Sequence, residues 1–303
     1  MKKMNIYLLL SASGLLAVIT FVSCQKDFSI ENGILPGVIT TSTNHALSDS
    51  NNLDKIFEVV SSGSILDTQH IITFHYDSQG RVTSMNDSTI TSSGPVLFLN
   101  NRYSYSGNDT LPYLSIWERN VGLATNDSFI TYHTYDAVGR NLKDSACYTM
   151  TPDPDKYIIN YSYSAGKMYR QTFDNKSAII LTKDTAITDA DGDPVSRNEW
   201  TSYNYAPYMH DAIYSFTYDG HKSPFANLSS FKAQSDNIYS WSDAFYTYLL
   251  FKNPTTRQEN DVTGNPNNSE TATYVYNAAG FPLRANRSMN GSPEILFFTY
   301  KHL

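Results

Sequence analysis

A tyrosine recurs just before a cluster of turn-forming residues all along this chain. Tyr76, Tyr105, Tyr135, Tyr163, Tyr218, Tyr276 and Tyr300 hold that place, and Thr188 holds it in the stretch "ITDADGDP". The steps between them are 29, 30, 28, 25, 30, 58 and 24 residues. Because 58 is twice 29, one unit near residue 247 is expected to have lost its signature. A sustained period of this length marks a structural repeat whose units bury a face against their neighbours.

Each unit ends in an alternating strand. Phe74 and Tyr76 flank His75, Tyr161 and Tyr163 flank Ser162, and Tyr214, Phe216 and Tyr218 are separated by Ser215 and Thr217. Side chains alternate across a strand, so one face of the sheet is aromatic and the other small and polar. In "YDSQGR", Asp77 can accept a backbone hydrogen bond from two residues on, and Gly80 can take the left-handed conformation that closes a hairpin. Asp136 and Gly139 repeat the arrangement in "YDAVGR". Arg81 and Arg140 then read as rim charges beside these aspartates. The expected fold is all-β: an antiparallel up-and-down meander of hairpin repeats, either an open curved sheet or barrel-like.

Residues 219–267 break the rhythm. The run "SDNIYSWSDAFYTYLLFKN" suggests one short helix, a cap starting near Ser240 or Ser242. The stretch "NPTTRQENDVTGNPNNSE" reads as an exposed loop. A membrane-spanning barrel would need a continuous outward apolar band, which segments such as "RVTSMNDSTITSSG" do not supply.

The N-terminus directs the chain out of the cytoplasm. Lys2 and Lys3 precede an apolar run from Ile6 to Phe21, as in a secretory signal. Val22-Ser23-Cys24 resembles the lipobox of bacterial lipoproteins, and the resemblance implies cleavage before Cys24 and acylation of its thiol. Residues 1–23 are then a signal peptide, 24–52 a lipidated flexible tether and 53–303 a single β-domain. Gln25-Lys26-Asp27 is similar to the start of a surface-export signal, interrupted by Phe28 and Ser29. The expected location is the outer membrane, surface-exposed or periplasmic-facing. Losing Lys2 and Lys3 leaves 20 basic residues against 29 acidic ones, which argues against nucleic acid as a partner.

The motifs "YDSQGR" and "YDAVGR" resemble the tyrosine-aspartate repeats of Rhs-type surface proteins. The layout of residues 53–303 is similar to a family of uncharacterised lipoproteins with a porin-like β-domain. That resemblance implies no catalytic residue and no cofactor. Four triplets, at Asp87, Asp109, Asp144 and Asp184, resemble an O-glycosylation motif of exported proteins.

Few residues suggest chemistry. His45, His70, His75, His133, His210, His221 and His302 show no zinc-type spacing, and His133 reads as a solvated or rim histidine. Asp189, Asp191 and Asp193 are weak candidates for Ca²⁺, although the Gly comes too early for an EF-hand loop. No Gly-x-Ser-x-Gly elbow, phosphate loop or dinucleotide fingerprint appears. The leading functional expectation is a non-catalytic binding or scaffolding module, joined to a membrane by its lipid and open to a glycan, lipid or protein ligand. A carrier or receptor using Phe74, Tyr76, Tyr161, Tyr163, Phe216 and Tyr218 is the alternative, because such rings offer apolar area beside a polar tip. A hydrolase is the third reading.

Overall fold

The computed structural model describes residues 52–62, 65–91, 94–119, 127–149, 156–174, 179–202, 209–228 and 252–301. These form sixteen strands: β1 (Asn52–Ser62), β2 (Ile65–Tyr76), β3 (Val82–Thr91), β4 (Gly94–Ser104), β5 (Leu114–Arg119), β6 (Asp127–Tyr135), β7 (Asn141–Tyr148) and β8 (Lys156–Ser164). Then follow β9 (Lys167–Asp174), β10 (Ile179–Thr188), β11 (Pro194–Thr201), β12 (Met209–Lys222), β13 (Lys252–Asn260), β14 (Pro266–Tyr276), β15 (Pro282–Met289) and β16 (Ser292–Lys301). Each strand pairs antiparallel with its neighbour in sequence, and β16 pairs with β1, so the sheet closes into a barrel. The all-β meander is therefore present in its closed form. The expected helix at Ser240 or Ser242 lies outside the described residues.

Closure gives the alternation an inside and an outside. Phe74, Tyr103, Trp117, Phe129, Tyr161, Phe216 and Phe298 are all buried and share the inward phase. An apolar cluster packs Leu53, Ile56, Ile72, Phe74, Leu296 and Phe298 around the β16–β1 junction. Phe225 and Leu228, just after β12, join it, with the Phe225 ring 6.3 Å from that of Phe74. A second cluster holds Trp117, Phe129, Ala146 and Tyr157.

The repeat acquires a mechanical meaning here. The eight signature positions mark the ends of the eight even-numbered strands, β2 to β16. β12 pairs directly with β13 in the described barrel, so the double step spans no further described strand; the position near residue 247 lies outside the described residues. Five tyrosine hydroxyls at these ends donate to a carbonyl at or beside the start of the preceding strand: Tyr76 to Leu53, Tyr105 to Val82, Tyr135 to Pro112, Tyr218 to Pro194 and Tyr300 to Pro282, at 2.6–2.7 Å. On β14, Tyr274 does so instead of Tyr276, reaching Pro254 at 2.9 Å. Each hydroxyl satisfies a carbonyl at the ladder's end, where the sheet no longer supplies a donor.

The turns follow the predicted chemistry. Asp77 Oδ1 accepts from the backbone N–H of Gln79 and Arg81, and Asp136 Oδ1 from those of Val138 and Arg140. Gly80 and Gly139 have φ of 76° and 83°. The stretch expected to be an exposed loop instead contains β13, a turn from Asp261 to Gly264 and the start of β14. Asp261 caps that turn as Asp77 caps its own. The absence of a tyrosine before it concealed the equivalence, since this turn lies at the opposite end of the barrel.

Arg81 departs from the rim-charge reading. Besides pairing with Asp77, it donates from Nη1 to the carbonyls of Gly107 at 2.7 Å and Asp109 at 3.0 Å, and it lies 4.5 Å from the Tyr105 ring centroid. It thus ties one repeat to the next. Arg140 pairs with Asp136 and covers Tyr163 at 4.3 Å, but its side chain is 53% exposed. Lys301 makes the corresponding link at the closure: it covers Tyr76 at 4.8 Å, donates to the Phe74 carbonyl at 3.1 Å and pairs with Asp54.

A side chain at positive φ costs roughly 1–2 kcal/mol. At Gly139 an added Cβ would also sit 3.1 Å from Leu111 Cδ1. Gly80→Val and Gly139→Val are each expected to lower the melting temperature by several degrees, at roughly 2–4 °C per kcal/mol for a domain of this size. Arg81→Lys is expected to lower it more than Arg140→Lys, because lysine cannot hold the three-point contact. Calorimetry of the four variants reads both comparisons.

Candidate functional site

Charged and polar side chains on the inward face would be costly if left unpaired. They are instead joined into a girdle with one residue on each strand from β5 to β16: Ser115, His133, Asp144, Tyr161, Arg170, Asp184, Arg197, Tyr214, Arg257, Glu270, Arg287 and Glu294.

The girdle begins as a relay. Ser115 Oγ lies 2.8 Å from His133 Nε2, and His133 Nδ1 lies 2.8 Å from Asp144 Oδ1. Tyr161 donates its hydroxyl to Asp144 Oδ2 at 2.8 Å. His133 and Asp144 are 2% and 3% exposed, so His133 is a core histidine rather than a rim one. Serine, histidine and aspartate in this order are the parts of a nucleophile relay. A hydrolase also needs N–H groups free to meet an oxyanion. Ser115 sits inside β5, in register with Tyr103 of β4 and Thr131 of β6, which commits its backbone to the sheet. The relay forms a hydrogen-bonded polar layer through the core.

From β9 the girdle becomes an ion-pair ladder. Asp184 accepts from Arg170 Nε at 2.6 Å on one oxygen and from Arg197 Nε at 2.9 Å on the other. Burial alone would raise the Asp184 carboxyl, but the Arg170 and Arg197 guanidiniums outweigh it and hold the group below the usual carboxylate range. Arg197 also reaches Glu199 at 3.2 Å. The Tyr214 ring stands between Arg197 and Arg257, whose guanidinium carbons lie 5.4 and 5.2 Å from its centroid. Arg257 then pairs with Glu270 at 2.6 Å, and Arg287 pairs with Glu294.

The sequence singled out other residues. Phe74, Tyr161 and Phe216 are buried at 0%, 5% and 6% exposure, and the hydroxyls of Tyr76 and Tyr218 are held by backbone carbonyls. Burial raises the Tyr163 phenol to about 12, against the opposing pull of Arg140. Asp189 caps its turn by accepting from the N–H of Asp191, Gly192 and Asp193, and Lys252 bridges Asp189 and Asp191 at 2.7 and 2.6 Å. Asp193 is buried at the turn's end. Among the described residues no three His, Cys, Asp or Glu side chains converge as a metal site requires. Cys24 lies outside the described residues. The girdle was missed, although part of its signal was present: His133, Tyr161, Asp184 and Tyr214 fall in the same strand phase as the aromatic face, two or four residues before a signature position.

No family model and no curated protein matches the chain. Among solved structures, it is similar to a porin-like protein from Bacteroides uniformis (TM-score 0.49, 12% identity, covering 83% of this chain and 96% of that one). It is also similar to a porin-like protein from Bacteroides vulgatus (TM-score 0.48, 12% identity, covering 84% of this chain and all of that one).

The outward face is built differently. Asn86, Asn100 and Arg102, Glu118, Lys143 and Ser145, Asn160, Gln171, Lys183 and Thr185, Asn198, Ser215, Gln258, Thr273 and Asn286 occupy its strands in turn. Arg102 and Glu118 form an outward ion pair at 2.7 Å. Among the described residues no continuous apolar band encircles this face.

Asp184→Asn is expected to leave two buried guanidiniums short of a counter-charge and to cost about 3–5 kcal/mol. The outward Glu118→Gln is expected to cost under ~1 kcal/mol. The folded pKa of Asp184 lies below its unfolded value of about 3.9. Its contribution is therefore complete above that value and is lost as pH falls through the lower folded one. Urea unfolding at pH 7 and pH 3 should show the penalty of Asp184→Asn shrinking at the lower pH.

Proposed function

We propose that this protein is a lipid-anchored module of the cell envelope, a non-catalytic barrel that stands in water beside a membrane and binds or scaffolds there. The observation that carries this reading is the polar outward face. A Lys or Arg facing lipid at mid-bilayer costs about 2–4 kcal/mol, and Arg102, Lys143, Lys183 and Arg284 all face outward. Attachment then falls to the segment before β1, where Cys24 follows an apolar run. Acyl chains on that thiol would supply about 0.8 kcal/mol per buried methylene, enough for a firm hold with more than one chain. The commitment of the Ser115 backbone to the sheet supports the non-catalytic part of the reading.

The test is fractionation of cells carrying the native chain or Cys24→Ala. The native chain is expected in the detergent-rich phase of a phase-partition experiment, and the variant in the aqueous phase. A variant that stays in the membrane after alkaline carbonate washing would mean that the barrel itself inserts, and the proposal would fall. Proteinase added to intact cells then tells the surface-exposed arrangement from the periplasmic-facing one.

A further inference from the structure

Val138, Leu142, Ile187, Val195, Val275 and Leu283 are exposed, and all stand at the end of the barrel where the signature tyrosines lie. Ile187 and Val275 point outward one residue before a signature position, at 43% and 53% exposure. Val138, 73% exposed, tips the turn between β6 and β7. The other three share one backbone device. After their turns the register skips a residue of the return strand. Tyr135 pairs with Asn141 but Thr134 with Lys143, Thr188 with Pro194 but Ile187 with Ser196, and Tyr276 with Pro282 but Val275 with Arg284. The residues passed over are Leu142, Val195 and Leu283. A bulge bends its strand and re-aims a side chain, and here it repeatedly leaves an aliphatic one in water. A single exposed aliphatic needs no explanation. The same placement on β6–β7, β10–β11 and β14–β15 forms an arc along one rim, and grouped apolar exposure of this kind marks a contact surface.

The course of the chain says what covers this arc. Asn52, the first residue of β1, pairs with Lys301 beside Tyr300, so β1 begins at the same end. Residues 25–51 lead back from there to Cys24. A tether raises local concentration most for the sites nearest its attachment, so acyl chains on Cys24 would offer the lipid surface to this rim first. The ions at this end are paired with one another: Arg81 with Asp77, Arg140 with Asp136, Lys252 with Asp189 and Lys301 with Asp54. They can stay among lipid headgroups while the aliphatic side chains reach the acyl boundary. The opposite end exposes Val96, Trp200, Met209 and Val262, but the chain to Cys24 does not leave from there. We propose that the tyrosine end of the barrel rests on the bilayer surface to which the chain is anchored, with the rim from β6 to β15 seated at the boundary of headgroups and acyl chains. The proposal deepens the anchored-module reading and rests on it.

Fluorophores attached through Val138→Cys or Val262→Cys test it, in the full-length acylated protein on phosphatidylcholine vesicles. Cys147 is buried, so each variant offers one reactive thiol once Cys24 carries its lipid. Spin-labelled lipid in the bilayer and iodide in the water serve as quenchers. The Val138 label is expected to be quenched by the lipid at least threefold more than the Val262 label, and the Val262 label by iodide at least threefold more than the Val138 label. Adding Ile187→Glu and Val275→Glu to Val138→Cys is expected to cut the lipid quenching at least threefold at unchanged melting temperature. The outward Glu118→Gln is expected to leave it unchanged. Should the double substitution destabilise the barrel, Val275→Ser alone carries the test. Equal lipid quenching of both labels, or stronger quenching of the Val262 label, would overturn the proposal, as would quenching indifferent to the rim substitutions. A protein held on vesicles through Cys24 whose Val138 label stays open to iodide fails here alone, leaving the anchored module intact. If the native chain and Cys24→Ala partition alike, the anchor itself fails and takes this proposal with it.

Discussion

Every strand of this barrel has two partners, so half of all strand side chains have nowhere to point but inward. That constraint governs the rest of the molecule. The inward positions must be filled, and any polar group among them must find its partner inside. Apolar rings fill the region around the β16–β1 junction and a second region over β5–β8. The remaining height is filled by groups that pair across neighbouring strands. The girdle is costly to build, because each ion loses its hydration, and the geometry repays this only where pairing is close. Asp184, held by two arginines from its two neighbouring strands, shows how this is met: a single carboxylate pairs with a buried guanidinium on each side.

The outward face obeys the opposite rule. It carries many serines, threonines, asparagines and lysines, with Leu142, Trp200 and Val275 exposed among them. A porin reverses this arrangement, with apolar residues outside and polar ones within. Here the strands keep an alternating pattern, but its phase places the aromatic residues inside.

Much of the architecture was legible because it rests on local chemistry. The Asp-x-x-Gly turns, the aromatic phase and the repeat length depend on residues a few positions apart. What was not legible depends on pairing between strands. Nothing near Arg81 announces that it will reach Gly107 and Asp109. Nothing near His133 announces Ser115 and Asp144, because each lies on a different strand and they meet only through register. The stretch from Lys252 to Asn268 was misjudged for a related reason. Its strand residues are polar on both faces, since Arg257 and Glu259 point inward to the ladder, and a strand without an apolar phase resembles a loop when read alone. The doubled step between Tyr218 and Tyr276 misled in the other direction, because arithmetic on spacings cannot tell that β12 and β13 pair directly.

The closing link between Lys301 and the Phe74 carbonyl joins residues 227 positions apart. A chain made from its N-terminus presents β1 long before β16 exists, so for most of its synthesis and export it is a growing ribbon with two raw edges. Such edges invite pairing with other chains. The ten residues of β16 convert ribbon to ring in one event, after which no edge remains. Loss of even part of β16 would therefore act less like trimming than like removing the keystone, leaving a sheet ready to polymerise.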